Sequence, residues 1–302
     1  MPGTLCYRND GYRHDRYHHE RYRYDYCTLA RGLARLFLEK TASMNYLKVL
    51  GFVFIAIVVL SFGRSLAQVS WSEEKTRFSS QGVWTARRDS AGIAPDPVAL
   101  SHIAIVQVYA APTYGWRGLV AVHPWIIVKK AGETRYQRYE VIGWGGDDVV
   151  RRNDSVPDGF WFGSMPRLLV EHRGAGAAAM IPKIEAAISS YPWPHTYHAW
   201  PGPNSNTFMA HIGREVPELK LDLPANAIGK DFRALTHPVG LPPSGRGLQV
   251  SLLGILGLTV GAEEGIEINI LSANLGVDFN PPALRLPFIG RLGYDKATKH
   301  EE

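Results

Sequence analysis

Between residues 103 and 145 the chain gathers β-branched and aromatic residues into short runs: IAIVQVYA at 103–110, LVAVHPWIIVKK at 119–130 and RYQRYEVIGWG at 135–145. Such runs predict three strands, and the AGET turn between the last two predicts a hairpin. From 174 to 190 the period changes. Ile181, Ile184 and Ile188 fall on one helical face, with Pro182 either kinking that helix or starting a fresh one. Phe208, Ile212 and Val216 mark a second helix just beyond Ser205. Strands then return in LQVSLLGILGLTV and IEINILSANLGVDF, separated by GAEEG. In the latter, Ile266, Ile268 and Ile270 alternate with Glu267 and Asn269, the two-residue period of a half-buried strand. Strands, then helices, then strands predict an α+β fold, an antiparallel sheet with packed helices.

Upstream the pattern is different. After Lys48 comes VLGFVFIAIVVLSFG, fifteen uncharged and mostly apolar residues closed by Arg64. That is short for a spanning helix, which needs about 20 residues, and long enough for the core of an export signal. Ser65, Leu66 and Ala67 offer a small-x-small cleavage site; snorkelling of Lys48 and Arg64 would instead keep the segment as an anchor. Arg64 lies close to the cleavage site, which favours the anchor. The Lys/Arg excess upstream puts the N-terminus in the cytoplasm and the remainder outside it, giving a single-pass protein of the inner membrane with a periplasmic domain. Residues 1–43 open on a run of Tyr, Arg, His and Asp, YRNDGYRHDRYHHERYRYDY at 7–26, with no periodicity that could build a core, and a start at Met44 is an alternative reading. The expected organisation is a disordered leader at 1–43, an anchor or signal at 44–67, a linker at 68–97 and a globular domain at 98–302.

The formal charge of +5 changes little, because residues 1–43 hold eight Lys/Arg against five Asp/Glu and the rest of the chain carries only +2. A nucleic-acid partner is therefore not expected. Both cysteines, Cys6 and Cys27, lie in the leader, so the domain has no thiol nucleophile, thiolate metal site or disulfide framework. GxSxG, HExxH and GxGxxG motifs are absent, and no cofactor is expected.

What remains is a constellation drawn from three segments. GPNSNTFMAHI at 202–212 delivers Ser205 to the start of a helix, where a nucleophile meets the positive end of the helix dipole. His123 is the base candidate, since a serine hydroxyl needs a base to take its proton, and Glu140 on the neighbouring strand would fix the imidazole tautomer. The hairpin makes those two cross-strand neighbours. Backbone N–H groups around Asn206 and Thr207 would face a developing oxyanion. Against this stand plainer roles: Asn204 or Ser205 as a helix cap, His123 as a packed core residue, Glu140 as an exposed strand residue. Asn204, Asn206, Thr207, Trp125, Trp144 and Trp200 are candidates to line a groove for a sugar or peptide. His195 and His198 have a spacing that suits a metal on a helix, with His211 as a third ligand, but the prolines around them predict a loop, and no metal site is assigned.

WTARRDSAGIAPDP, AVHPWIIVK, RYEVIGWG, WPGPNSNTF, AIGKDF and QVSLLGILGLTVG, in that order between Trp84 and Gly293, resemble an uncharacterised family of bacterial envelope proteins known only as a domain of unknown function. The succession His123, Glu140, then Asn204-Ser205-Asn206-Thr207-Phe208 is also similar, more loosely, to the circularly permuted papain-like group of acyltransferases and cell-wall endopeptidases. In that group a histidine strand precedes a polar residue and an Asn-Cys-x-x-Phe helix start. Here serine stands in place of cysteine, so the resemblance implies the fold more than the activity. The expected function is a membrane-anchored envelope module, non-catalytic or degenerate, that binds peptidoglycan, lipid or an envelope protein. The alternative is a serine-dependent amide or ester hydrolase or acyltransferase.

Overall fold

The computed structural model of the chain describes residues 45–46, 48–67 and 85–294. The leader at 1–43 and the first part of the linker lie outside them. Helix α1, Lys48–Ala67, is the one helix among the described residues long and apolar enough to cross a membrane, with a mean hydropathy of 2.2. It continues past Arg64, and its 20 residues reach about 30 Å, the thickness of a bilayer core.

The first sheet is antiparallel, in the order β4-β3-β2-β1-β5. Its strands are β1 (Ile105–Pro112), β2 (Val122–Lys129), β3 (Gln137–Val141), β4 (Val150–Arg152) and β5 (Arg167–Arg173). β2 and β3 form the expected hairpin, with Ile126 opposite Tyr139. Two helices follow, α2 (Gly174–Ser189, carrying Pro182 inside it) and α3 (Ser205–Glu215). Both faces of the sheet are covered, as the near-continuous burial of β1 and β2 requires. Val106, Val108, Ile126 and Val128 meet Ile181 and Ile184 of α2 and Phe208 and Ile212 of α3. Each such side chain, fully buried, contributes about 1.5–3 kcal/mol. The opposite face carries Tyr109, Trp125 and Ile127 against Trp161, Ile93 and Leu100. The segment expected as a linker is thus held to the domain where it is described. Asp158 accepts hydrogen bonds from Ser90 Oγ at 2.7 Å and from the backbone N–H of Ile93 at 2.8 Å and of Ala94 at 3.1 Å.

The second sheet is a seven-stranded antiparallel meander, β6 to β12 in chain order. It comprises β6 (Val239–Gly240), β7 (Gly247–Leu252), β8 (Leu256–Gly261), β9 (Gly265–Ile270), β10 (Ala273–Phe279), β11 (Pro282–Leu286) and β12 (Gly290–Gly293). The two long apolar runs of the C-terminal third each divide into a hairpin. Alternation holds throughout, with the polar side inward. Glu267 and Asn269 are 1% and 4% exposed, whereas Ile266 and Ile268 are 40% and 48% exposed. Beneath the sheet, Glu267 binds Lys230 and Arg285, and Asp231 accepts from Gln249 at 2.8 Å and Asn269 at 2.9 Å. Arg285 also reaches Asp222 at 2.7 Å and Asp278 at 3.2 Å. Outside, Val250, Leu258 and Ile268 stand in register on adjacent strands.

Candidate functional site

His123 and Glu140 come together as the hairpin predicts. Glu140 lies diagonally across from His123, on the strand face that also carries Trp125. The His123 Nε2 to Glu140 Oε2 distance is 2.8 Å, with both side chains buried. A third member was not read from the sequence: Arg138 Nη2 donates to the same carboxylate oxygen at 2.8 Å and Nη1 to the Val156 carbonyl at 2.7 Å. Arg138 and Glu140 are two apart on β3 and so share a face, a signal that the sequence does contain. The His123 ring lies flat on Trp161, centroids 3.7 Å apart at 9°, and the Arg138 guanidinium sits 4.1 Å over Trp125. Glu140 Oε1, Arg138 Nε and Trp161 Nε1 are buried with no hydrogen-bond partner among the described residues.

Burial by itself pushes the Glu140 carboxyl up, but the hydrogen bond from His123 and the charge of Arg138 outweigh it and hold the group down at about 2. Burial pushes His123 below its ordinary 6.5, against the opposing pull of Glu140. An ionised carboxylate can only accept, so a neutral His123 must carry its proton on Nε2. Nδ1 is then the basic nitrogen.

Ser205 opens α3 in the first turn, and Asn204 is its cap. Asn204 Oδ1 accepts from the backbone N–H of Asn206 at 2.9 Å and of Thr207 at 3.2 Å, while Thr207 Oγ1 accepts from Asn204 N at 3.1 Å, a reciprocal capping box. The amides expected to face an oxyanion are therefore occupied by the cap itself. The side-chain donors of Asn204, Asn206 and Thr207 bind main chain, while Asn206 Oδ1 is buried with no partner among the described residues. Asn204 Nδ2 donates to Ile228 O at 3.0 Å and Ala199 O at 3.2 Å, Asn206 Nδ2 to Ile228 O at 2.8 Å and Val122 O at 3.1 Å, and Thr207 Oγ1 to Gly229 O at 2.8 Å. Gly229 has φ +96°, and a Cβ there would stand 2.4 Å from Asn204 Nδ2, so glycine is required for this approach. Asn206 thus brings the start of α3 to the residue next to His123. Among the described residues, none forms a hydrogen bond with the Ser205 hydroxyl. His123 stacks on the Trp125 and Trp161 side of the sheet, while Phe208 and Ile212 of α3 pack on the other.

The aromatic candidates separate. Trp125 is fully buried, its Nε1 donating to Pro157 O at 2.8 Å, and so belongs to the core rather than to a groove. Trp144 and Trp200 are about half exposed, at 45% and 52%. Trp144 packs with Tyr114, Phe162 and Trp161, forming an aromatic wall that runs from the surface to His123. His195 Nδ1 pairs with Asp148 at 2.9 Å, and His211 Nε2 contacts the Ala187 carbonyl at 2.9 Å, so these two histidines have separate partners.

The depressed values of Glu140 and His123 have the same sign. The Glu140 contribution to stability is complete above its ordinary 4.5 and is lost as pH falls towards about 2; that of His123 begins to fall as pH drops below 6.5. Glu140→Gln is expected to cost about 3–5 kcal/mol at neutral pH, because it leaves Arg138 buried without its counter-charge. It should also flatten the loss of stability between pH 4.5 and 2 in urea unfolding. An unchanged acid slope would contradict this assignment.

Residues 103–232 match the model of a family described as "Protein of unknown function (DUF3750)". No curated protein and no solved structure matches the chain. The matched stretch runs from β1 to the segment that clamps α3, and over that length the chain is similar to that uncharacterised family.

Proposed function

We propose that this protein is a non-catalytic envelope module, held in the inner membrane by α1 with its domain on the periplasmic side. In this reading it keeps the layout of a circularly permuted papain-like hydrolase or acyltransferase site and uses the ground around it to bind peptidoglycan, lipid or an envelope protein. One observation carries it: the Asn206 and Thr207 amides are committed to the cap, and the side-chain donors of Asn204, Asn206 and Thr207 to the carbonyls of Ala199, Ile228, Gly229 and Val122. The two capped amides have no free N–H to stabilise an oxyanion, whose loss costs a hydrolase about 10²–10³ in rate. The burial of His123 between Glu140 and Trp161 also favours it, since a ring only 5% exposed has little room to meet a substrate.

The alternative is a serine hydrolase or acyltransferase built on Ser205, His123 and Glu140. In its favour, Glu140 takes His123 Nε2 and leaves Nδ1 as the base, and Asn206 brings the Ser205 turn to the adjacent Val122.

Fluorophosphonate labelling of the full-length protein in membranes separates the two. No labelling at Ser205 is expected, and Ser205→Cys should gain reactivity toward thiol-directed acyl probes that falls when His123→Ala is added. Labelling of wild-type Ser205 that disappears in His123→Ala would overturn the non-catalytic reading in favour of the hydrolase. For orientation, a reporter fused after Tyr294 that works only outside the cytoplasm should be active. Activity of a cytoplasm-only reporter at that place would refute export.

A further inference from the structure

The second sheet presents its aliphatic side chains to the outside and its charges to the inside, the reverse of a soluble sheet. One rung crosses six strands in register: Leu248, Val260, Ile266, Val277, Leu284 and Leu292. These six are 38–57% exposed. Between Gly247 and Leu286 the charged residues are Glu263, Glu264, Glu267, Asp278 and Arg285. The last four are buried, and Glu263 lies in the β8–β9 turn facing Arg246 at 3.9 Å. The outer rungs of β7 to β9 hold Leu, Ile and Val alone. Soluble monomers rarely expose a large contiguous apolar patch, so a face of this kind marks a place of interaction.

We propose that this face docks on the hydrocarbon surface of the bilayer that α1 enters; the inference rests on the membrane reading of α1. Two observations choose lipid as the occupant. First, the C-terminal end of α1 touches this sheet. The Phe62 ring meets Phe288, in the turn between β11 and β12, edge-on at 6.0 Å. Phe62 precedes the end of α1 by five residues, about 7.5 Å at the helical rise. With α1 embedded, the β11–β12 turn therefore sits at the membrane boundary. Second, the face is poor in what a protein partner uses, Phe279 at the end of β10 being the exposed aromatic residue on these strands. Protein interfaces are enriched in aromatic residues, Met and Arg and carry about one hydrogen bond per 100–200 Å². Plain aliphatic rungs match acyl chains instead. The strands are too short to span: six residues reach about 20 Å, against about 30 Å of hydrocarbon. The sheet thus lies on one leaflet, its inner polar network directed away from the lipid.

The test uses the full chain with Cys6 and Cys27 replaced by Ser. A single cysteine is introduced by Leu258→Cys or, in a second variant, Leu284→Cys, with Ser189→Cys on α2 as control. Each carries an environment-sensitive fluorophore and is reconstituted in phosphatidylcholine and phosphatidylglycerol vesicles. With spin-labelled acyl chains, the labels at 258 and 284 should lose most of their fluorescence while resisting aqueous iodide, and the label at 189 should do the reverse. Vesicle flotation of the protein with iodide quenching at 258 and 284 and no acyl quenching would overturn the docking and leave the anchor standing. Labels resistant to both quenchers, with energy transfer between copies, would overturn it in favour of a second copy of the chain. Failure of the protein to float would refute the membrane reading itself, and the docking with it.

Discussion

The contact of Lys230 and Arg285 with Glu267, in the dry interior beneath the second sheet, fixes more of this molecule than any other. Taking an ion out of water costs several kcal/mol, recovered only when its counter-charge and hydrogen bonds are in place. Burial alone would push the Lys230 ammonium down, yet Asp231 and Glu267 outweigh it and keep the group charged. Glu267 must therefore face inward, and the period of a strand then sends Ile266 and Ile268 outward. A slip of one residue would bury the isoleucines and strand the ions, so the network sets both register and sign.

Lys230 belongs to a tetrapeptide with a second duty. Ile228 and Gly229, just before it, receive the side chains of Asn204, Asn206 and Thr207, and so fix the N-terminus of α3 against β2. The segment is held on one side by the sheet and on the other by the helix. Ser205 consequently starts a helix whose end is closed by its own neighbours. His123, Arg138 and Glu140 form a comparable closed unit under Trp161. Both polar clusters are closed among their own members, whereas the aromatic wall around Trp144 and the aliphatic face of the meander reach the surface.

Much of the first sheet was legible. The β2–β3 hairpin, the two helices and the pairing of His123 with Glu140 follow from runs of β-branched residues, a four-residue turn and a helical period. β5 was not, because RLLVEHR mixes charge and aliphatic residues at the close of a loop-rich stretch. The meander strands read two at a time in the sequence: the β9–β10 turn is Leu271-Ser272, with left-handed φ of 53° and 66° where glycine or asparagine would announce it, and the β7–β8 turn has only a lone Gly254 after Leu253. The direction of the second sheet was hidden for a different reason. Alternation supplies a period and no sign, and the partner that turns Glu267 inward lies 37 residues away. Arg138 and Trp161 were missed because their roles depend on stacking across separate segments.

The most direct test of this arrangement is a double-mutant cycle on Lys230→Met and Glu267→Leu, read by urea unfolding of the full chain. If this pair sets the direction of the sheet, each single change costs about 3–5 kcal/mol, because it leaves a buried charge uncompensated. The double variant should then recover at least about 1 kcal/mol of the summed loss, the coupling of residues in one buried network. Strict additivity of the two losses would contradict it, and the aliphatic face would then owe its outward position to something other than these ions.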